Sequence, residues 1–241
     1  MNQPEIVVST KNLSKVYQVG DTPVVALNRV NIEVKRGSFI AVVGTSGSGK
    51  STLLNMLAGL ESPTDGQVWV AGEPLHRFNQ DQLVKFRREH VGFVFQSFNL
   101  IPSMTAVENV AWPLAFRGVP KAERTAKAVK ALVKMGLGKH LHHRPTEMSG
   151  GQQQRVGIAR ALVVDPQIVF ADEPTGNLDS RTAEQTLNLF RQVIARYQQT
   201  WVMVTHDDHL ASFADTIIRI VDGRIVGITD TPHAARQKVV S

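Results

Sequence analysis

One glycine-rich segment has the residue types needed to bind a polyphosphate. Residues 44–52 read GTSGSGKST and stand between the apolar run Phe39–Val43 and a helical pattern. Glycines allow a tight turn whose N–H groups point inward, and the following helix offers its positive end to an anion. Lys50 can bridge β- and γ-phosphate oxygens, the Ser51 hydroxyl can coordinate Mg²⁺, and Thr52 can bond a phosphate oxygen. The predicted phosphate-binding residues are Gly44, Ser46, Gly47, Ser48, Gly49, Lys50, Ser51 and Thr52.

Two carboxylates follow another apolar run, Ile168–Ala171. Ligands bind an open α/β sheet at the carboxyl ends of its strands, so Asp172 is placed to hold Mg²⁺. Glu173 is placed to polarise a water molecule for in-line attack on a γ-phosphate. The alternative, a helix-capping acid pair, becomes less favoured once the glycine-rich loop is accepted as a phosphate site.

Two more polar side chains follow apolar runs. His206 comes after Trp201–Val204 and could hydrogen-bond the γ-phosphate, although a lone histidine is more often structural. Gln96 comes after Val91–Phe95, where its neutral amide could ligate Mg²⁺ or orient water. The predicted catalytic residues are therefore Lys50, Gln96, Glu173 and His206, and the predicted metal ligands are Ser51, Gln96 and Asp172.

The apolar patterns predict the elements that position these residues. Continuous apolar runs indicate strands covered on both faces, whereas alternation at Val30–Val34 and Gly66–Val70 indicates an antiparallel edge sheet. Helical spacing between Ala122 and Met135 predicts a helical lobe inserted in an α/β fold with a largely parallel sheet. The predicted central strands are Phe39–Val43, Val91–Phe95, Ile168–Ala171 and Trp201–Val204.

Composition narrows the class of protein. The 241 residues include 42% hydrophobic residues and no cysteine, which excludes a disulfide scaffold, a thiolate metal site and a disordered tail. No run approaches 18 apolar residues, and the first residues, MNQPEIVVSTKNL, lack a secretory pattern, so we expect a cytosolic chain. The net charge of +6 is scattered, which favours a solvated surface over a nucleic-acid or membrane site.

A histidine-rich stretch, residues 140–143 (HLHH), has metal-binding residue types. It has no acidic or cysteine partner nearby in the sequence, so a solvated turn is the favoured interpretation.

Residues 148–155, MSGGQQQR, closely resemble the LSGGQ signature motif of ATP-binding cassette (ABC) ATPases, with Met148 in place of the usual leucine. Ser149 lies 99 residues after Lys50 and 23 before Asp172, a spacing similar to that of this family. The resemblance covers nearly the whole chain. It implies a P-loop NTPase fold of the ABC ATPase type, with a mixed central sheet, an antiparallel β subdomain and an inserted helical subdomain.

The resemblance also implies roles and partners. ATP and Mg²⁺ are the expected cofactors, Tyr17 stacks on adenine, Gln96 is the Q-loop, Glu173 is the catalytic base and His206 is the switch. In the family that this chain resembles, the signature of one copy closes over the ATP of a second copy in a head-to-tail dimer. The helix that begins at the signature offers another anion site. The residues implied at that shared site are Ser149, Gly150, Gly151, Gln152 and, in the D-loop, Asp179.

Finer features predict the organisation and the branch of the family. We expect an N-terminal part of the core with the β subdomain at 1–96, the helical subdomain at 97–154 and the rest of the core at 155–241. Residues 172–179 (DEPTGNLD), Asn99–Pro102 and Arg144–Pro145 resemble the branch of macrolide exporters, lipoprotein-releasing complexes and antimicrobial-peptide exporters. No membrane domain is encoded, so we expect a separate permease and a peripheral position on the cytoplasmic face of the membrane.

Two other functions remain as alternatives. A regulatory cassette of the cell-division type would differ only in its partner. A chromosome- or ribosome-associated ABC protein usually has a long coiled-coil insertion or two cassettes in one chain, which this sequence lacks. We therefore expect no specific nucleic-acid partner.

Overall fold

The computed structural model describes residues 5–197 and 199–232, so the first four residues of the segment MNQPEIVVSTKNL lie outside the described part. The strands are β1 Ile6–Val19, β2 Thr22–Val30, β3 Glu33–Lys35, β4 Phe39–Val43, β5 Asp65–Val70, β6 Val91–Phe95, β7 Ile168–Asp172, β8 Thr200–Thr205, β9 Thr216–Val221 and β10 Arg224–Asp230. The α-helices are α1 Lys50–Leu57, α2 Gln80–His90, α3 Ala106–Phe116, α4 Lys121–Lys134, α5 Gly150–Leu162, α6 Ser180–Tyr197 and α7 Asp208–Ala211.

The central sheet has the strand order β10-β9-β4-β8-β7-β6, and its members β9, β4, β8, β7 and β6 are parallel. β4, β6, β7 and β8 are the four strands that the apolar runs predict. In the register Val43 pairs with Thr205, and Asp172 pairs with Val204 and Phe95. Because these strands end at nearly the same level, the polar residues that follow them emerge along one edge of the sheet.

Apolar cores fill both faces of this sheet. Trp201 and Phe190 are fully buried on one face, and Phe170 and Leu53 are fully buried on the other. Burial on both faces explains why the central strands read as continuous apolar runs rather than as alternating ones.

The antiparallel sheet corrects one prediction. Val30–Val34 is not a single strand, because β2 ends at Val30 and β3 begins at Glu33. Here β1 changes its partner from β2 to β3. The buried Thr10 hydroxyl bridges the break, donating to the Val30 carbonyl and accepting the Ile32 N–H, both at 3.0 Å. A side chain therefore replaces ladder hydrogen bonds at the point where the chain turns.

The helical part contains α3, α4 and the start of α5. α3 begins with a capping box formed by Thr105 and Glu108, and α4 is followed by Gly136 at φ 75°. α4 corresponds to the helix that the spacing from Ala122 to Met135 predicts, and it buries Ala128 and Leu132. The caps and the apolar face together fix where these helices start, stop and pack.

Candidate active site

The glycine-rich loop connects β4 to α1. Gly49 has φ 99°, and a Cβ there would lie 2.4 Å from the Ala26 carbonyl oxygen, so this turn requires glycine. The buried Lys50 donates from Nζ to the carbonyl oxygens of Gly44 and Thr45, each at 2.8 Å. Neutral carbonyls hold this ammonium at the centre of the loop, where an anion would meet both its charge and the start of α1.

A cleft of about 800 Å³ lies over the loop. This volume is within the range of small-molecule sites and suits a nucleoside triphosphate. Glu173 and His206, which follow β7 and β8, line it together with the loop, as the strand-end argument predicts. Asp208 and Arg219, which no sequence pattern indicated, lie at the rim and form an ion pair at 2.8 Å. The loop residues in the lining are Gly44, Thr45, Ser46, Gly47, Gly49, Lys50, Ser51 and Thr52.

The side chains of Glu173 and His206 are joined by a hydrogen bond. His206 Nδ1 lies 2.9 Å from Glu173 Oε1, with the Glu173 side chain 19% exposed and the His206 side chain 68% exposed. Glu173 has φ 43°, an unusual value for a residue other than glycine, while its N–H still donates to the Val204 carbonyl at 3.0 Å. This turn at the end of β7 directs the carboxylate into the cleft, and such strain is characteristic of functional positions.

Asp172, the last residue of β7, is not among the residues that line the cleft. Burial, with a smaller contribution from the neighbouring Glu173 charge, raises the pKa of Asp172, whereas the Ser51 hydroxyl and the Lys50 charge partly offset this. The carboxylate is therefore costly to ionise in the absence of a cation. Because the Ser51 hydroxyl lowers the pKa of Asp172, these two predicted metal ligands lie near each other.

Gln96 does not line the cleft in this structure. Its side-chain Nε2 donates to Asn177 Oδ1 at 3.5 Å, and its main-chain carbonyl oxygen accepts from Asn177 Nδ2 at 3.1 Å. A Cβ on Gly176 would lie 2.7 Å from Gln96 Nε2, so glycine leaves the space for this amide. The Gly176-Asn177 pair thus connects the turn after β7 to the end of β6.

Arg160, which the sequence analysis did not select, holds the loop that follows Gln96. Its guanidinium donates to the Phe98 carbonyl oxygen at 2.8 Å and also to the Asn99 carbonyl oxygen. Phe98 and Asn99 both have positive φ, at 59° and 48°. Burial lowers the pKa of Arg160. The signature helix α5 is therefore attached directly to the Gln96 loop.

The signature residues lie outside the cleft of their own chain. Ser149 caps α5: its hydroxyl accepts the Gln152 N–H at 3.3 Å, and its own N–H donates to Gln152 Oε1 at 2.9 Å. Gly151 packs close to Thr182, where a Cβ would lie 2.6 Å from a methyl group. The Thr182 hydroxyl lowers the pKa of Asp179, and so does the Thr182 N–H, which donates to Asp179 Oδ1 at 3.0 Å. The start of α5 and the turn before α6 form one surface.

Tyr17 also lies outside the cleft lining. Its hydroxyl donates to Glu61 Oε2 at 2.6 Å and is within hydrogen-bonding reach of Thr52, which does line the cleft. Burial and the Glu61 carboxylate raise the pKa of Tyr17. The adenine-stacking role of Tyr17 stays a prediction.

A glycine–lysine loop between a buried strand and a helix, with carboxylates at the end of another strand of the same parallel sheet, defines a P-loop nucleotide-binding protein. The sequence profile described as "ABC transporter" matches residues 27–176. The chain belongs to the ABC transporter family and is an ATP-binding cassette with the ABC ATPase fold. No helix in residues 5–197 or 199–232 combines the length and apolarity needed to cross a bilayer.

Sequence relatives fall into two groups by length. The chain is 49% identical over 89% of its length to an uncharacterized ABC transporter ATP-binding protein of Thermotoga maritima, of which it covers 91%. It is 42% identical over 93% of its length to a macrolide export ATP-binding/permease protein of Vibrio parahaemolyticus, but covers only 34% of that longer protein. The predicted similarity to the macrolide-exporter branch is confirmed.

Solved structures agree with the fold. A dimeric cassette of Methanocaldococcus jannaschii in a post-hydrolysis state, bound to ADP and Pi, superposes with a TM-score of 0.85 at 42% identity, covering 92% of this chain and 98% of the other. A Clostridium perfringens cassette from a transporter complex gives the same TM-score at 26% identity, covering 98% and 93% of the two chains. The predicted ABC ATPase fold and nucleotide-binding class are confirmed.

Proposed function

We propose that two copies of this chain sandwich two ATP molecules and hydrolyse them to power a separate permease. One observation supports this proposal: the predicted site residues lie on two separate surfaces. Lys50, Glu173 and His206 line one cleft, while the helix start at Ser149 lies outside it. The Ser149 helix start is a second anion-binding surface, and it cannot reach the cleft of its own chain. Each cleft is therefore complete only when a second copy supplies this surface.

We assign one role to each residue of the site. Lys50, Thr52 and the loop N–H groups bind the phosphates and offset the charge that develops in the transition state. Glu173 accepts a proton from the attacking water, and His206 Nδ1 orients the Glu173 carboxylate through their 2.9 Å contact. Gln96 and Asp179 act at the edges of the site, and Tyr17 packs against adenine. Ser149, Gly150, Gly151 and Gln152 of the twin close over the γ-phosphate.

Mg²⁺ fits the oxygen donors beside the loop. The Ser51 hydroxyl and the Asp172 carboxylate are hard ligands that lie near each other, and the raised pKa of Asp172 is that of a carboxylate that a cation would stabilise. We assign these two residues, with Gln96 after movement of its loop, as the ligands. When bound, the ion would neutralise charge on the β- and γ-phosphates.

Asp172→Asn should stabilise the nucleotide-free protein. Folding raises the pKa of Asp172, so this carboxyl group stabilises the native state at low pH, where it is protonated. That stabilisation is lost as the pH rises through the raised pKa of the folded state. Removing the ionised group should raise the Tm at neutral pH, and each gain of about 1 kcal/mol would correspond to about 2–4 °C for a chain of this size. The difference should shrink as the pH falls and vanish below the ordinary carboxyl pKa.

The same melting curves test the metal site. Mg²⁺ added with ADP should raise the Tm of the wild type more than that of Asp172→Asn. Asp21→Asn, which removes an exposed carboxylate in the β1–β2 turn, is the matched control and should behave as wild type. An equal Mg²⁺-dependent shift in Asp172→Asn would refute the ligand assignment.

An exposed apolar patch on α2 and α3 is the surface we propose for the permease. The α2–α3 patch consists of Val84, Trp112 and Phe116, which are 51%, 43% and 61% exposed. The two aromatic rings make an edge-to-face contact at 5.4 Å. Arg88 Nη1 lies 3.4 Å from the Phe116 carbonyl oxygen, so the two helices meet beside the patch. Exposed aromatic pairs of this kind suit the apolar face of a docking helix.

Replacing Trp112 and Phe116 by Ser should leave the ATPase rate of the isolated chain unchanged and weaken permease binding about 30-fold or more. The measurement is recovery of transmembrane polypeptides with the tagged chain from detergent-solubilised membranes. Val226→Ser with Ile228→Ser, two exposed residues on β10, is the control and should retain the partner. Full recovery with the α2–α3 patch variant would contradict this assignment.

This proposal puts the chain at the cytoplasmic face of the membrane, with 97–154 as the helical subdomain and 1–96 and 155–241 as the nucleotide-binding core. The permease would dock where α3 of the helical subdomain meets α2 of the 1–96 part. α5 spans the second boundary, so its signature end lies in the helical subdomain and its other end packs against β6. Movement of α5 on ATP binding would thus reach the α2–α3 patch.

A further inference from the structure

The histidine-rich stretch between α4 and α5 is part of a packed connection rather than a solvated turn. The carbonyl oxygens of Leu141 and His143 accept the first N–H groups of α3, from Val107 at 3.0 Å and Ala106 at 2.8 Å. The rings of His140 and His143 lie 5.0 Å apart and are half-buried. In the described part of the chain, no group of three or more acidic or histidine side chains is arranged to hold a metal.

His140 contacts the signature helix through one atom. Its Nε2 lies 3.2 Å from Nε2 of Gln152, whose amide is the second half of the capping box at Ser149. Gln152 Oε1 already accepts the Ser149 N–H, so the amide cannot turn over without placing its NH₂ against another donor. The Gln152 nitrogen is therefore the donor to His140.

This bond selects one tautomer of the ring. An amide nitrogen cannot accept a hydrogen bond, so His140 Nε2 must present its lone pair and the ring proton must sit on Nδ1. His140 Nδ1 is buried, and no described residue accepts a hydrogen bond from it. The neutral Nδ1–H tautomer is thus maintained by the contact with Gln152.

The consequence reaches the signature serine. While the Gln152 side-chain amide is held, Ser149 Oγ accepts the main-chain N–H of Gln152 through a lone pair. The Ser149 hydroxyl hydrogen then stays available for an anion. A freed Gln152 side chain could rotate away and leave the Ser149 N–H unsatisfied. The geometry of the anion-binding end of α5 then depends on a side chain outside the signature motif.

We propose that His140 is a positioning residue for the signature motif, accepting a hydrogen bond at Nε2 that holds Gln152 and Ser149 in the form that binds the twin's nucleotide. This inference rests on the proposed sandwich dimer. It predicts that loss of the acceptor weakens dimer closure without changing nucleotide binding by the single chain.

Dimerisation in the Glu173→Gln background, measured by sedimentation with ATP, tests this role. His140→Leu should raise the protein concentration for half-dimerisation about three- to tenfold, the value of one hydrogen bond. Binding of a fluorescent ATP analogue to the dilute monomer should be unchanged. His140→Gln, which keeps an acceptor, should restore dimerisation, and His142→Leu, an exposed neighbour, should have no effect.

Normal dimerisation of His140→Leu would overturn the proposal, as would an equal defect in His142→Leu. Imidazole ¹⁵N shifts of the histidine-labelled wild type, with His140 assigned from its loss in His140→Gln, identify the tautomer in the monomer. The Nδ1–H tautomer of His140 supports the proposal, and an Nε2–H tautomer refutes it. If the parent Glu173→Gln protein fails to dimerise, the proposed function fails, while the tautomer still decides the role of His140.

Discussion

Glu173→Gln should bind ATP with wild-type affinity, hydrolyse it about 10²- to 10⁴-fold more slowly and accumulate as an ATP-bound dimer. Glutamine keeps the size of the side chain and can still accept the His206 Nδ1–H bond, which spans 2.9 Å in the native protein. It cannot take a proton from water. The loss therefore falls on the chemical step and leaves the nucleotide contacts in place.

Single-turnover hydrolysis and gel filtration with ATP measure these two effects. Glu184→Gln provides the matched control, because Glu184 makes a similar contact with His209 at 3.2 Å on the exposed surface. Its turnover should equal that of the wild type. Unimpaired turnover in Glu173→Gln would mean that another group is the base.

Lys50→Ala should lower ATP turnover by about 10²- to 10³-fold, equivalent to about 3–4 kcal/mol of lost charge stabilisation. Lys50 is buried at the centre of the loop, and its ammonium has neutral carbonyl partners at 2.8 Å that a phosphate can supplement. Nucleotide affinity should fall as well, because the β- and γ-phosphates lose their buried cation.

Titration with a fluorescent nucleotide and steady-state ATPase assays give both quantities. Lys50→Met, which keeps the length of the side chain, separates loss of charge from collapse of the loop, and both variants should keep a native circular dichroism spectrum. Lys139→Ala, at an exposed position, is the control. If folded Lys50→Met binds and hydrolyses ATP normally, the loop is not the phosphate site.

Local signals explain what the sequence could predict. The glycine-rich loop is contiguous, and Glu173 and His206 each follow a buried apolar strand, so strand register alone brings them to one edge. Tertiary contacts explain the rest. Asp208 and Arg219 meet only because β9 lies beside β4, and the turn of Gln96 toward Asn177 depends on the absent side chain of Gly176.

Tertiary contacts also explain two further features that the sequence could not predict, one in the antiparallel sheet and one in α5. The split of Val30–Val34 into two strands depends on the Thr10 hydroxyl of a distant segment, which no local pattern reports. Arg160 lies within a helix whose spacing is ordinary, and its importance appears only from the two carbonyl oxygens it holds. Such residues are recognisable once the chain is folded.

Site-specific cross-linking tests the sandwich most directly, because the chain has no cysteine. Ser46→Cys in the loop and Glu147→Cys before the signature are placed on separate Glu173→Gln copies, mixed, and treated with a short bismaleimide. Our account predicts a mixed covalent dimer with ATP, its absence with ADP, and its loss when Ser149→Arg blocks the signature surface. A cross-link that forms equally without nucleotide, or none with ATP, would contradict it.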